Sequence, residues 1–393
     1  MGWLRLLKIC LIVLACLCLT LGTGWAAEDM RTVVDGRGAE VQVPMEIERA
    51  VAVSNGFIES VMFVLGEEDK LVGGRDCVQS IYNYSYPTVD GETYEYRDGM
   101  MPVTYLKPEW NFTVIATTQT AINYEALTAL DPDVAIIRVT ASSMDDEMMQ
   151  KTITMIEALG IPVVVLKSHT CFDKPDLSTI SDEIRIIGSI FKKDEKAAEL
   201  ADYLESQTQV VFERTKDVLD SEKPTVLIFG ASPKAREAGG AGLVMGINTI
   251  DSYFVEDIVH AKNAFGETGQ PDISAEHLLA LDPDVIVLTT WWGYHPPEEL
   301  YTAPYYQNVA ELSALQKHRV YALPWTPNYT GKRIEYPIDL MVIAKAAYPE
   351  RFEDIKVHEW VLEFYQNVYG VDEETAIGLR SAQWLDWTVD EDF

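Results

Sequence analysis

Apolar and polar positions alternate along this chain in blocks that read as strands feeding helices. Residues 50–54 form a short apolar run ending in Asn55-Gly56, and the apolar spacing from 58 to 65 predicts a helix that stops at Gly66. Residues 155–159 read as helix, Gly160-Ile161-Pro162 as a turn and 163–166 as a strand. The second half repeats the plan, with strands expected at 225–229, 285–289 and 320–323 and a helix at 250–259. Buried apolar strands alternating with amphipathic helices predict parallel sheets covered on both faces.

An internal echo shows how these blocks are organised. Glu125-Ala-Leu-Thr-Ala-Leu-Asp-Pro-Asp-Val-Ala-Ile-Ile137 returns as Glu276-His-Leu-Leu-Ala-Leu-Asp-Pro-Asp-Val-Ile-Val-Leu288, eight of thirteen positions identical at an offset of 151. Each copy reads as a short helix, ended because the Asp before Pro132 or Pro283 is pushed out of helical geometry, then a buried strand. Two related halves follow. Between them Ile180, Ile184, Ile187, Phe191, Ala198, Tyr203 and Val210 recur at roughly helical spacing, until Lys223-Pro224 ends the run. The expected fold is therefore α/β: two lobes with mostly parallel sheets flanked by helices, joined by a single long interlobe helix. The N-terminal lobe spans 28–175, the connecting helix 176–222 and the C-terminal lobe 223–393. Two consecutive helices, broken near 192–194, are the alternative for the connection.

Composition narrows the function. The 393 residues carry 62 acidic and 31 basic side chains, a net charge of −31, and such a field repels phosphate backbones and anionic lipid surfaces. Nucleic acid is not an expected partner. Residues 1–27 have a basic head (Arg5, Lys8), an apolar run from 9 to 21 and a small-residue site at Gly24-Trp25-Ala26-Ala27, the layout of an export signal. A retained membrane anchor is the alternative, since 9–27 could just cross a bilayer. Val13-Leu14-Ala15-Cys16 loosely matches a lipoprotein site, but apolar residues continue after Cys16. Removing the leader takes away Arg5 and Lys8 and moves the charge from −31 to −33. It also removes Cys10, Cys16 and Cys18, leaving Cys77 and Cys171 as one bridge or two thiols.

Catalytic signatures are missing. The chain has no Gly-x-Ser-x-Gly elbow, Walker loop, Rossmann glycine fingerprint or His-Glu-x-x-His, so no catalytic residue, cofactor or metal site is assigned. His169, His260, His277, His295, His318 and His358 are scattered singly, without metal-ligand spacing, and read as surface or packing residues. His295 is the exception, lying in Trp291-Trp292-Gly293-Tyr294-His295-Pro296 just past a strand end. Ligands of open α/β sheets bind at the carboxyl ends of strands. The residues expected there are Asn55, Phe57, Arg138, Trp291, Trp292, Tyr294, Trp325 and Tyr329, with Arg333 as a fixed positive charge. The Tyr-rich stretch from Tyr82 to Tyr96 is expected to form a flap beside the cleft, or else a solvated hairpin.

With these residues assembled, the chain resembles the periplasmic substrate-binding proteins of ABC importers for ferric siderophores, haem and cobalamin. The resemblance runs through Thr32-Val-Val-Asp35 to Pro44, Arg49 to Ser54, Asn123 to Asp133, Leu159 to Pro162, Ile273 to Asp284, Val320 to Leu323 and Ile338 to Pro349. It implies a monomeric, exported receptor, periplasmic or on the outer face of the cytoplasmic membrane, that grips a metal complex between its lobes. Its partners would be membrane permease subunits served by a cytoplasmic ATPase. It also implies that Glu125 and Glu276, one per lobe, dock on permease arginines; helix-start acids are the alternative role. The Tyr-rich insertion between Arg75 and Pro108 and the Trp291-Trp292 pair depart from the family pattern where cargo identity is set. A receptor for an oxyanion or simpler metal chelate, and a two-lobed tetrapyrrole metal chelatase, are the alternative functions.

Overall fold

The computed structural model of the protein describes residues 30–117, 121–140, 147–172, 174–230, 241–289, 296–326 and 332–393. An antiparallel ribbon of β1 (Met30–Val34) and β2 (Glu40–Pro44) precedes the first sheet. That sheet contains β3 (Ala50–Val53) and β4 (Leu71–Arg75); a hairpin of β5 (Tyr82–Pro87) and β6 (Thr93–Gly99) then leaves it before β7 (Thr113–Ala116), β8 (Val134–Val139) and β9 (Val163–Lys167) complete it. Its order is β7-β4-β3-β8-β9, every pairing parallel. The second sheet runs β13 (Asp272–Ile273), β11 (Gly242–Val244), β10 (Thr225–Gly230), β14 (Val285–Leu288), β15 (Val320–Ala322), with β12 (Lys262–Asn263) beside the start of β10. Its core strands β10, β14 and β15 are parallel, while β11 and β13 are antiparallel additions. The helices around these sheets include α1 (Phe57–Leu65), α2 (Tyr124–Ala129), α3 (Ser178–Phe191), α4 (Asp194–Thr215), α5 (Ala275–Leu281), α6 (Tyr336–Ala347), α7 (Val357–Tyr369) and α8 (Glu373–Ala382).

The repeated motif performs the same local work in both lobes. Asn123 caps α2 by accepting from the Ala126 N–H at 3.1 Å, and Ser274 caps α5 by accepting from His277 at 3.2 Å. Asp131 and Asp282, each before proline, take left-handed φ of 44° and 36° and end their helices. The second Asp of each motif then pins the opening of the lobe's first core strand. Asp133 Oδ2 accepts from the Glu48 and Arg49 N–H groups at 2.7 and 2.9 Å, and Asp284 Oδ2 from the Thr225 N–H and hydroxyl, both at 2.9 Å.

The connection between lobes is two helices rather than one unbroken run over 176–222. Helix α3 ends where Lys192 adopts φ 57° and the Lys193 N–H reaches back to Gly188 O at 2.8 Å, a Schellman-type stop. Helix α4 restarts with Asp194 and Glu195 in its first turn, where the dipole favours them. The two fold back on each other, with Arg185 of α3 within 3.2 Å of Asp202 and 3.7 Å of Glu205 on α4. Gly188 permits this approach, because a Cβ there would stand 2.3 Å from that of Ala197. Helix α3 packs on the first sheet, and α4 is the long interlobe helix: Lys193 pairs with Glu67 at its start and Arg214 with Asp354 at its end.

The lobes also share surface directly. One apolar core runs from Val33, Ile58 and Met62 through Ile184 and Leu204 to Phe229, Ile338 and Phe364. Phe63 on α1 meets Tyr369 on α7 at 5.8 Å, and Gly378 on α8 lies so close to Tyr105 that a Cβ would overlap the phenol oxygen. A second core, around Val51, Ile137, Ile153 and Val163, covers the other face of the first sheet.

Candidate functional site

Parallel strands place their carboxyl ends along one edge, and here residues at those ends in the first lobe meet a charged stretch of the second at a seam. The first lobe contributes Asn55 and Phe57 after β3, Arg138 at the end of β8 and His169 after β9; the second contributes Lys332 and Arg333, ahead of α6.

Arg138 is the hub. Its guanidinium stands 4.0 Å from the centre of the Phe57 ring and donates Nε and Nη2 to the two carboxylate oxygens of Glu183, each at 2.7 Å. Its Nη1 crosses the seam to the carbonyl of Lys332 at 2.9 Å. The Arg138 and Glu183 side chains are only 5% and 2% exposed. Burial pushes the Glu183 carboxyl above its ordinary range, although Arg138 opposes it.

Across the seam, Lys332 Nζ lies 3.1 Å from Asp251 and 2.6 Å from Asp339. Burial alone would weaken its hold on a proton, but the Asp251 and Asp339 carboxylates outweigh burial and keep the ammonium charged. Burial raises the Asp339 carboxyl. Arg333 donates Nε to Glu335 at 3.3 Å, and Glu335 also accepts the Tyr369 hydroxyl. Arg333 leans against the first lobe, since a Cβ on Gly56, itself at φ 97°, would lie 3.5 Å from Arg333 Cδ. Its buried Nη1 has no hydrogen-bond acceptor among the described residues. Arg333, Lys332, Asp339, Tyr336, Thr326 and Leu323 line a cavity of about 30 Å³, into which the buried and equally unpartnered Thr326 hydroxyl also falls. That is room for a group of one or two water-sized atoms at a time. The three cations face four carboxylates, Glu183, Asp251, Asp339 and Glu335.

The other expected site residues divide. Asn55 is half-buried, its Oδ1 3.9 Å from Cys77 Sγ. Trp325 is 1% exposed, its ring enclosed by Tyr82 and Trp384 at 5.7 Å each. Trp291, Trp292, Tyr294 and Tyr329, with His295, lie outside the described residues. Glu125 and Glu276 stand exposed in the first turns of α2 and α5, and Glu276 is held below the ordinary carboxylate range by hydrogen bonds to its own N–H and to Ser274. Cys77 and Cys171 are free thiols; burial pushes Cys77 up to about 12 and also raises Cys171, so neither is a ready nucleophile. Among the described residues no cluster of His, Cys, Asp and Glu is placed to hold a metal ion.

The Tyr-rich stretch is a hairpin, and several of its residues are engaged with the second lobe, while Tyr94 stays exposed on Tyr86. The Tyr84 hydroxyl donates to Glu299 at 2.8 Å, and the Val89 N–H to Thr302 O at 2.8 Å. Trp384 Nε1 donates to Arg97 O at 2.9 Å, and Tyr96 meets the Trp384 ring at 5.8 Å. The hairpin straps one lobe to the other.

A family model described as periplasmic binding protein matches residues 51–326. The chain belongs to the periplasmic binding protein family. The molybdate-binding protein MolA of Haemophilus influenzae is 24% identical over 384 residues, covering 92% of this chain and 97% of that protein. Its structure with molybdate bound has a TM-score of 0.64 at 21% identity, covering 87% of this chain and 98% of MolA. A periplasmic solute binding protein from Veillonella parvula gives a TM-score of 0.71 at 21% identity over 93% of this chain and all of its own. A periplasmic haem-binding protein from Pseudomonas aeruginosa gives 0.53 at 22% identity over 77% of this chain and 94% of its own. Membership makes this periplasmic binding protein the substrate-binding component of an ABC transporter, from a family of binders rather than enzymes. Among the described residues no helix is long and apolar enough to cross a membrane.

Of the residues expected from sequence, Asn55, Phe57, Arg138 and Arg333 come together at the seam, and Lys332, Glu183 and His169 join them there without having been expected. Lys332 had a signal: it sits beside Arg333, just before a helix that opens with proline at its second position, Pro337. Glu183 had none, because it lies 45 residues from the arginine it pairs with.

Proposed function

We propose that this periplasmic binding protein captures a small tetrahedral oxyanion of the molybdate kind at the lobe seam and presents it to a membrane permease. The observation that carries this reading is Arg333 Nη1, a buried guanidinium N–H without an acceptor among the described residues, on a small cavity shared with Lys332 that has room for one or two of an anion's oxygens. An anion that only accepts hydrogen bonds meets its need from such donors. The molybdate-binding function of MolA, which aligns over nearly its whole length, supports the same ligand class. The hairpin, whose Tyr84 and Tyr96 are engaged with Glu299 and Trp384 of the second lobe, offers less support for a macrocycle or large chelate.

Titration of the purified protein with molybdate, tungstate, sulfate and phosphate tests this, with haem, cobalamin and a ferric siderophore in parallel. The expected outcome is saturable calorimetric binding of an oxyanion, weakened about 10- to 100-fold in Arg333→Gln by loss of a charged hydrogen bond. Binding of a metal complex with no oxyanion response overturns the reading. Docking is proposed to use Glu125 and Glu276, which stand exposed at matching positions of the two lobes. Glu125→Arg and Glu276→Arg should leave anion affinity nearly unchanged and abolish uptake into vesicles carrying the permease; loss of affinity in either variant contradicts the assignment.

A further inference from the structure

His169 follows β9, where the Ser168 N–H donates to Val139 O at 3.0 Å, so it stands beside the end of the strand that carries Arg138. The imidazole is fully buried, and neither ring nitrogen has a hydrogen-bond partner among the described residues. A buried polar ring left in this way is costly unless something completes it. Burial holds the ring neutral, well below its ordinary titration range, and the positive charges of Arg138 and Lys332 reinforce this. The charged or titratable groups around it are Arg138 on β8, Glu183 on α3, Lys332 ahead of α6 with its partners Asp251 and Asp339, and the Cys171 thiol two residues on.

We propose that oxyanion capture at this seam takes up one proton from solvent, and that His169 is the group that accepts it. This rests on the ligand reading above. The seam already holds four carboxylates against three cations, so a dianion enters a site with no surplus positive charge. Its negative charge beside Lys332 offsets part of the positive field that adds to burial in keeping the ring neutral. A new N–H bond then forms on the ring, converting one donor and one acceptor into two donors, which suits a ligand made only of acceptors. Because the bound state holds the proton more firmly than the free state, affinity rises as pH falls between the two titration points. The limit for one proton is about tenfold per pH unit, and affinity is flat above the bound-state point.

Calorimetric titration of the full chain with molybdate, in buffers of different ionisation enthalpy at one pH and then across about pH 6 to 8, reads this directly without a variant. The expected result is about one proton taken up per anion. His169→Gln should bind molybdate with little pH dependence and no uptake. Molybdate binding without proton uptake in the wild type overturns the proposal and leaves the ligand reading intact. Uptake that survives in His169→Gln overturns the assignment to histidine. Absence of oxyanion binding at every pH instead removes the ligand reading, and this inference with it.

Discussion

The two copies of the repeat keep the same local geometry until their strands end, and there they part. At the repeat offset, Arg138 corresponds to Thr289. Up to that point both copies cap a helix, break it at an aspartate before proline and pin a neighbouring strand with the next aspartate. Beyond it, one copy offers a guanidinium that pairs with Glu183 and reaches the other lobe, while the other offers a buried hydroxyl with no partner among the described residues. The shared part is scaffold, fixed by backbone geometry that both lobes need. The seam's chemistry comes from positions where the copies differ, and the second lobe supplies its cations from a later stretch, at Lys332 and Arg333.

Arg138→Met should give the largest effect, a loss of about 3–5 kcal/mol in urea unfolding, because Glu183 is left buried and unpaired. Burial already pushes that carboxyl up, so the deficit should shrink as pH falls and Glu183 takes a proton; a deficit that grows in acid breaks the comparison. Replacing the pinning aspartates should cost less. Asp133→Ala and Asp284→Ala are expected to lose about 1.5–3 kcal/mol each in the same assay, since each removes paired hydrogen bonds to a charged acceptor. For Asp284, burial raises the carboxyl but the Thr225 N–H and hydroxyl outweigh it, holding it below its ordinary 3.8. Its contribution is therefore complete above about pH 4 and lost as pH falls through the native value, and Asp284→Ala should lack that acid-side loss. Unequal costs at the two aspartates would show that the copies are less alike than their geometry. The smallest effect belongs to Thr289→Val, which removes a buried hydroxyl unpartnered among the described residues at nearly constant shape and should stabilise by about 1 kcal/mol in thermal unfolding.

What could be read from the sequence was local or repeated. The Asp-Pro-Asp echo, the strands around it and the helix stop at Gly66 all follow from periodicity and backbone sterics, which act within a few residues. The break at Lys192 was legible only as an alternative, because a lysine in left-handed geometry carries no sequence mark as glycine does. His169 looked like a packing residue, and only three dimensions show its ring buried with both nitrogens unpaired among the described residues. The hairpin's tyrosines signalled aromatic surface but not its partner, since Glu299 and Trp384 lie more than 200 residues further along.

That strap, with α7 and α8 lying against α1 and the hairpin, has a consequence for how the molecule comes into being. The first lobe's apolar flank is completed by residues near the far end of the polypeptide, among them Tyr369, Gly378 and Trp384. Synthesis from the amino terminus therefore cannot finish one lobe and then begin the other. That flank stays uncovered until residues 369–384 have emerged, and closing contacts so distant in sequence is the kind of step that slows assembly.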